Sequence, residues 1–229
     1  MSGDPTDSKH DLSVERYAPV VTVLAMFPLG TVLFPGMFLP LHVFEPRYRS
    51  LTTDVLAADR EFGVVLIERG NEVGGGDVRT DIGTVARIVE HREMPDGRWA
   101  LATVGVRRIR VERWLADDPY PRAEVVDLDG GIDARADDHG PSPEDQDTLV
   151  ARFRRALALA TELGHPAAPA TIALSEDLAT ASFQMAALAP LTPMDKQQIL
   201  ATDGVAARVS TLAEQLSGQI ELLEARLSD

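Results

Sequence analysis

The chain contains no cysteine. Disulfides, thiolate nucleophiles and sulfur-ligated zinc are thereby excluded, which fits a reducing compartment. Lysine is nearly missing too: Lys9 and Lys196 are the only two, so almost all positive charge is carried by arginine. No window approaches the roughly 20 apolar residues that span a bilayer. The N-terminus, MSGDPTDSKHDLSVERYAP, has neither the basic start nor the apolar run of a signal peptide. These absences point to a cytoplasmic protein with no membrane attachment. Positive charge is also in deficit, with 22 Lys and Arg against 36 Asp and Glu, a formal net charge of −14. A nucleic-acid binder normally carries a basic footprint that neutralises phosphates, so the balance argues against that class.

Motifs that carry catalysis are missing as well. A P-loop needs G-x-x-x-x-G-K-[ST], and neither lysine stands in that setting. The run Gly74-Gly75-Gly76 is followed by Asp77-Val78-Arg79 and reads as a flexible hairpin loop. A serine–lysine peptidase dyad needs a buried lysine beside a serine. Lys9 falls in the N-terminal tail, and Lys196 is expected in the first turn of an exposed helix. The five histidines, at 10, 42, 91, 139 and 165, are scattered, with no H-E-x-x-H and no G-x-S-x-G elbow. His42 and Glu45 read as a strand histidine and a helix-start acid, and Glu90 to Glu93 as a solvated strand end. The acids between 130 and 147 lack the alternation of a calcium loop. No catalytic residue, metal site or cofactor is therefore assigned, and the chain is read as a non-enzyme.

The apolar share of 45% and the charged share of 25% are ordinary for a folded protein. Residues 1–19 are polar and aperiodic and read as a disordered tail. From 20 to 129, short runs rich in Val, Ile and aromatics alternate with Gly, Pro and Asp: VVTVLAMF, FLPLHVF, FGVVLIER, GTVARIVEH, RWALATVGV, RIRVERWL and RAEVVDL. Met94-Pro95-Asp96-Gly97 is a hairpin signal, and Pro46 opens one helix inserted among the strands. Many short strands separated by turns suggest a closed or nearly closed barrel. Residues 130–143, rich in Gly, Asp and Pro, read as an acidic loop.

Beyond it the period changes to about 3.6, so 144–229 reads as a helical subdomain. One helix starts at Ser142 and ends at Gly164, and a second is capped at Ser175-Glu176-Asp177. Thr192-Pro193-Met194-Asp195 caps a third. Val205, Val209, Leu212, Leu216, Ile220, Leu223 and Leu227 mark a long amphipathic helix to the C-terminus. Its stripe either packs on the subdomain or joins a second copy in a homo-oligomer.

The segment Met26 to Leu51, MFPLGTVLFPGMFLPLHVFEPRYRSL, holds Pro28, Pro35, Pro40 and Pro46. Proline lacks a ladder donor, so the first three belong at strand ends, bulges or edges. The loop from Leu33 to Phe38 carries more large apolar groups than one barrel interior can take, because strand residues alternate. Some must meet either the helical subdomain or a ligand, and packing under the C-terminal helices is the favoured reading for Phe34 and Phe38. The candidate peptide-binding residues are Phe34, Pro35, Gly36, Met37 and Phe38, with Tyr48. Met37 is expected to be the exposed one, since methionine accepts many shapes. An extended peptide could also add to a nearby strand edge.

These residues also carry a family resemblance. Phe27-Pro28-Leu29, Leu33-Phe34-Pro35-Gly36-Met37, Leu39-Pro40-Leu41 and Glu45-Pro46-Arg47-Tyr48 resemble the opening signature of the Lon protease N-terminal, substrate-binding domain. Ile82 to Ile88, Pro95-Asp96-Gly97 and Val104 to Arg108 are similar to its next blocks, in the same order. Leu191, Pro193, Asp195-Lys196-Gln197 and Leu200 resemble its closing helical corner. The resemblance implies an α+β fold: a PUA-like β pseudo-barrel with one inserted helix, then a helical subdomain. It implies recognition of unfolded or tagged polypeptide, as an accessory to proteolysis. The same domain type occurs in cereblon and as free-standing bacterial proteins, and this sequence is expected to stop where the ATPase and peptidase parts of Lon would follow. Two other readings stay open: an interaction module for one specific folded partner, and an RNA-binding PUA-like domain. The RNA reading rests on Arg107, Arg108 and Arg110, with Arg113 beyond them. Strand alternation would place Arg108 and Arg110 on one face. No aromatics interleave with them for base stacking.

Overall fold

The computed structural model describes residues 20–69, 78–128 and 142–228. The expected N-terminal tail, the Gly74 to Gly76 loop and most of the acidic loop lie outside the described residues. In chain order the elements are β1 (Val21–Leu29), β2 (Phe38–Val43), α1 (Pro46–Leu56), β3 (Glu61–Arg69), β4 (Val78–Glu93), β5 (Trp99–Trp114), β6 (Arg122–Asp127), α2 (Pro143–Glu162), α3 (Leu178–Leu188), α4 (Pro193–Ala201) and α5 (Val205–Ser228).

The barrel closes through a ring of pairings. β1 runs parallel to β3 and antiparallel to β6. β4 pairs antiparallel with β3 and β5, and β5 with β6 completes the circuit. The two apolar runs read separately at 98–106 and 108–115 form one continuous strand, β5. Its length gives it two partners in succession: Trp99 to Val104 hold β2, and Ile109 to Trp114 hold β6. β2 therefore lies outside the ring, at the end of the sheet order β2-β5-β4-β3-β1-β6. The β4–β5 hairpin turns where the sequence places it: Gly97 has φ 76° and its N–H donates to Met94 O at 2.8 Å.

Apolar alternation fills the barrel. Met26, Val65, Val85 and Ile109 pack inside it. Phe27, Phe62, Ile88 and Leu101 form a second cluster with Tyr48, Leu51 and Val55 of α1. The helices start on the expected caps. Ser142 and Asp145 form a reciprocal capping box at α2, and Thr192 and Asp195 form another at α4. The Asp177 carboxylate accepts from Thr180 N–H at the start of α3. On α5, Val209, Leu212, Leu216 and Leu223 are buried, with Leu223 against Leu159 and Ala160 of α2. Most of the C-terminal stripe is thus used within the chain, while Leu222 and Leu227 are exposed.

Contacts between barrel and helices include three that rest on single side chains. The Arg108 guanidinium is fully buried and donates to Leu200 O at 3.0 Å and Thr202 O at 2.9 Å. Those carbonyls are among the ones a helix end leaves unbonded. Gln197 Nε2 on α4 donates to Ile82 O on β4 at 2.9 Å. Phe34, from the loop between β1 and β2, enters the helical core beside Phe153, Phe183 and Leu212. Burying a phenylalanine completely stabilises by about 1.5–3 kcal/mol.

Candidate functional site

The sequence Phe34-Pro35-Gly36-Met37 folds as a tight turn. Met37 N–H donates to Phe34 O at 3.1 Å, and Gly36 takes φ 75°. Proline at the second place and a positive-φ glycine at the third are the pattern of a type II turn. β5 holds it: Gly36 N–H donates to Gly105 O at 2.8 Å, and Gly105 N–H to Met37 O at 2.9 Å. Thr84 Oγ1 adds a bond to Leu33 O at 2.6 Å. Any Cβ on Gly105 would collide with the Phe34 carbonyl, so this close approach requires glycine.

The turn decides what each candidate residue faces: Phe34 packs under the helices as favoured and drops out as a peptide-binding candidate, while the exposure expected of Met37 and the packing expected of Phe38 are corrected. Phe34 has no exposed surface; its ring lies 5.8 Å from that of Phe183, in the helical core. It presents nothing to a ligand. Met37 is half-buried and touches both the helical core and the barrel core, whereas Phe38 beside it is 58% exposed. The exposed apolar residue is Phe38 and not Met37, because the turn directs Met37 inward and strand alternation then directs Phe38 outward. Pro35 is half-buried and Gly36 exposed within the turn. Tyr48 is buried and stacks on Phe27 with ring centroids 4.0 Å apart.

From Phe38 onward β2 keeps strict alternation. Phe38, Pro40 and His42 face out, while Leu39, Leu41 and Val43 face the barrel core. Pro40 stands opposite Ala102 and His42 opposite Ala100 on β5, which stand opposite Glu90 and Arg92 on β4. Two alanines between taller rows make a trough. It is an open groove of about 430 Å³, with Phe38 and Pro40 as one wall, Glu90, His91 and Arg92 as the other, and Ala100 and Ala102 in its floor. A second, smaller cleft of about 180 Å³ lies along β2 on the core side, lined by Phe27, Leu29, Leu41, Val43, Phe44 and Tyr48 among others. Pro40 borders both. The alternating alanines, visible in RWALATVGV, were the unused signal for the trough.

The backbone of β2 adds directionality. Gly105 N–H bonds to Met37 O, which in an antiparallel ladder makes Leu39, Leu41 and Val43 the residues that exchange bonds with β5. The main-chain groups of Phe38, Pro40 and His42 then point away from the sheet. Among the described residues no backbone group is bonded to them. This explains why proline is tolerated at 40: the donor it lacks belongs to the free edge.

The arginines read as a basic concentration do not form an open cationic face. Alternation puts Arg108 and Arg110 on one side, but only Arg108 lies beneath α4, where it is buried. Arg110 pairs with Glu112 at 2.9 Å. Arg107 bridges Asp127 at 2.9 Å and Glu61 at 2.6 Å, and Arg87 reaches the other oxygen of Glu61 at 2.6 Å. Burial pushes the Glu61 carboxyl upward, but hydrogen bonds from Arg107 and Arg87 outweigh it and hold it below the usual range. Lys196 differs from expectation as well. It is half-buried, its Nζ donates to Ala187 O at 2.7 Å, and burial lowers its pKa. Its partner is thus the end of α3 and not a serine nucleophile. Glu45 pairs with Arg47 at 3.1 Å. Among the described residues no group of three or more His, Asp or Glu is placed to hold a metal, and no helix is long and apolar enough to cross a membrane.

A closed barrel carrying an extra edge strand, joined to a four-helix unit, is the mixed α+β architecture of Lon N-terminal domains. A Lon N-terminal domain protein from Xanthomonas campestris superposes with a TM-score of 0.62 and 29% identity, covering 83% of this chain and 96% of that one. The N-terminal domain of Mycobacterium avium complex Lon protease has the same fold, with a TM-score of 0.54 at 18% identity over 86% of this chain and 98% of that one. The chain belongs to the LON substrate-binding domain family, whose model, described as the ATP-dependent protease La (LON) substrate-binding domain, matches residues 23–218. Lon protease 2 of Herpetosiphon aurantiacus is 28% identical over 216 residues, covering 92% of this chain and 25% of that protein. Lon protease 2 of Myxococcus xanthus is 29% identical over 208 residues, covering 88% and 24%. The chain thus spans about a quarter of the length of the curated relatives it matches.

Proposed function

We propose that this chain is a polypeptide-recognition domain without catalysis of its own, which holds unfolded polypeptide on the outer face of β2 and its neighbours. The observation that carries the reading is the trough between Phe38 and Pro40 on one side and Glu90, His91 and Arg92 on the other. A 58% exposed phenylalanine beside an exposed proline is surface a folded protein has little reason to keep bare, and an alanine floor leaves room for side chains of many shapes. Membership of a substrate-binding family supports a polypeptide as the occupant. The setting is cytoplasmic, with the domain serving proteolysis.

The test is fluorescence anisotropy with a labelled, permanently unfolded polypeptide, its folded counterpart and an RNA of similar length. Saturable binding of the unfolded chain alone, weakened about tenfold by Phe38→Ser, is the expected result. Binding confined to a folded partner would replace this reading with that of a dedicated interaction module. Salt-sensitive binding of RNA alone would replace it with the nucleic-acid reading.

A further inference from the structure

The outer edge of β2 is a strand edge with groups to spare. Phe38 and His42 each direct an N–H and a C=O outward, and Pro40 directs a C=O, so the edge offers two donors and three acceptors. Sheet edges of this kind template a further strand unless they are blunted. Pro40 blunts this one at a single position. Beside the edge on the core side lies the cleft of about 180 Å³, walled by Phe27, Leu29, Leu41, Val43 and Tyr48. An apolar cavity of about 150 Å³ accepts a benzene molecule, so this cleft has room for one phenyl-sized side chain.

We propose that the bound polypeptide adds as a seventh strand on the outer edge of β2 and places one large apolar side chain in the core-side cleft. The proposal rests on the polypeptide-binding reading and specifies its mode. An added strand continues the β4-β5-β2 sheet outward. Its residues facing Phe38, Pro40 and His42 supply N–H groups to the three free carbonyls. Its intervening residues turn their side chains to the core side, where the cleft lies. Affinity then comes from main-chain bonds common to every sequence, and selection comes from one pocket. The recognised segment is extended, free of proline over about five residues, and carries one aromatic or large aliphatic side chain at the cleft.

A second copy of this chain is the poorer occupant. In a two-fold antiparallel pair centred on residue 40, two prolines would face each other where each should donate, and both central bonds would be lost. A foreign strand loses only the bond to its own carbonyl opposite Pro40.

The decisive probe is a soluble decapeptide alternating phenylalanine and threonine between terminal lysines, and a set of its derivatives, each with one backbone nitrogen methylated. Titrated against the full chain, methylation at every second central position is expected to weaken binding at least tenfold. The positions between should change it less than twofold. On the protein side, His42→Pro removes an outward donor without touching a bond to β5. It is expected to weaken the parent peptide about tenfold with unchanged thermal unfolding, whereas His42→Ala keeps the donor and the affinity. If the parent peptide binds but methylation shows no two-residue period, strand addition is wrong and polypeptide recognition survives. If neither the peptide nor an unfolded polypeptide binds, both fail. A concentration-dependent dimer in sedimentation, dissociated by His42→Pro, would assign the edge to a second copy and overturn the proposal.

Discussion

Phe34 belongs by sequence to the barrel and by packing to the helical core, so its truncation tests whether the two halves form one cooperative unit. Phe34→Ala removes a fully buried ring in contact with Phe183 and leaves a cavity in a cluster that includes Phe153, Leu212 and Leu216. Phenylalanine-to-alanine changes in such settings cost about 3–5 kcal/mol, the transfer term plus the cavity. The Pro35-Gly36 turn and the bonds to Gly105 hold the backbone in place, so the site has little freedom to collapse and the upper part of that range is expected. For a chain of this size each kcal/mol lowers the midpoint by about 2–4 °C, so a loss of about 4–5 kcal/mol gives a shift of roughly 8–20 °C. Equilibrium denaturation followed by two probes is the assay. Trp99 and Trp114 both lie on β5 and report the barrel, while far-ultraviolet circular dichroism reports chiefly the helices. Both probes should shift together. A loss below about 1 kcal/mol, or helices melting while tryptophan emission keeps its native midpoint, would refute the idea that Phe34 pins the two halves together.

Two glycine substitutions should move stability in opposite directions. Gly105→Ala puts a Cβ against the Phe34 carbonyl and should cost at least about 1–3 kcal/mol, whereas Gly218→Ala meets nothing within 4 Å in the middle of α5 and should stabilise by about 0.5–1 kcal/mol; urea midpoints distinguish them. Arg108→Met strands the carbonyls of Leu200 and Thr202 and should cost about 2–5 kcal/mol, read as earlier hydrogen exchange at the end of α4. The folded-state pKa of Glu61 is depressed, so its contribution is fully present above the unfolded glutamate value of about 4.3 and is lost as pH falls through the lower folded value. Glu61→Gln should therefore flatten that acid limb of the stability profile, and an unchanged profile would show that the Arg87 and Arg107 bridges contribute nothing to it.

Local signals were legible wherever a residue acts on its own neighbourhood. Ser142, Asp177 and Thr192 cap the helices they were expected to cap, and Gly97 makes the hairpin, because each bonds within a few residues of itself. The period of α5 identified its buried face from Val209 to Leu223. What failed were statements about which side of a residue is covered. Phe34 and Phe38 are equally apolar and share one expected packing under the C-terminal helices, yet nothing near them in the chain shows that only Phe34 enters that core, formed by residues more than a hundred positions later. Arg108 looked like its neighbours Arg107 and Arg110 until α4 closed over it. Lys196 is half-buried for a similar reason, with its ammonium held by a carbonyl of α3. Phe34-Pro35-Gly36-Met37 did contain one unused clue, since proline followed by glycine specifies a turn that reverses which neighbour faces inward.

By itself, then, the sequence determined the elements, the helix caps, the prolines' confinement to ends and edges, and the blocks that mark the LON substrate-binding family. These follow from backbone chemistry and short-range periodicity, which act over a turn or a pleat. Only the tertiary structure decided that β5 is one strand serving two partners, that β2 is left with a free edge between two clefts, and that Phe38 instead of Phe34 meets the solvent. Those outcomes depend on which surfaces the barrel and the helices bury against each other, and burial is a property of the assembled chain and not of any window along it.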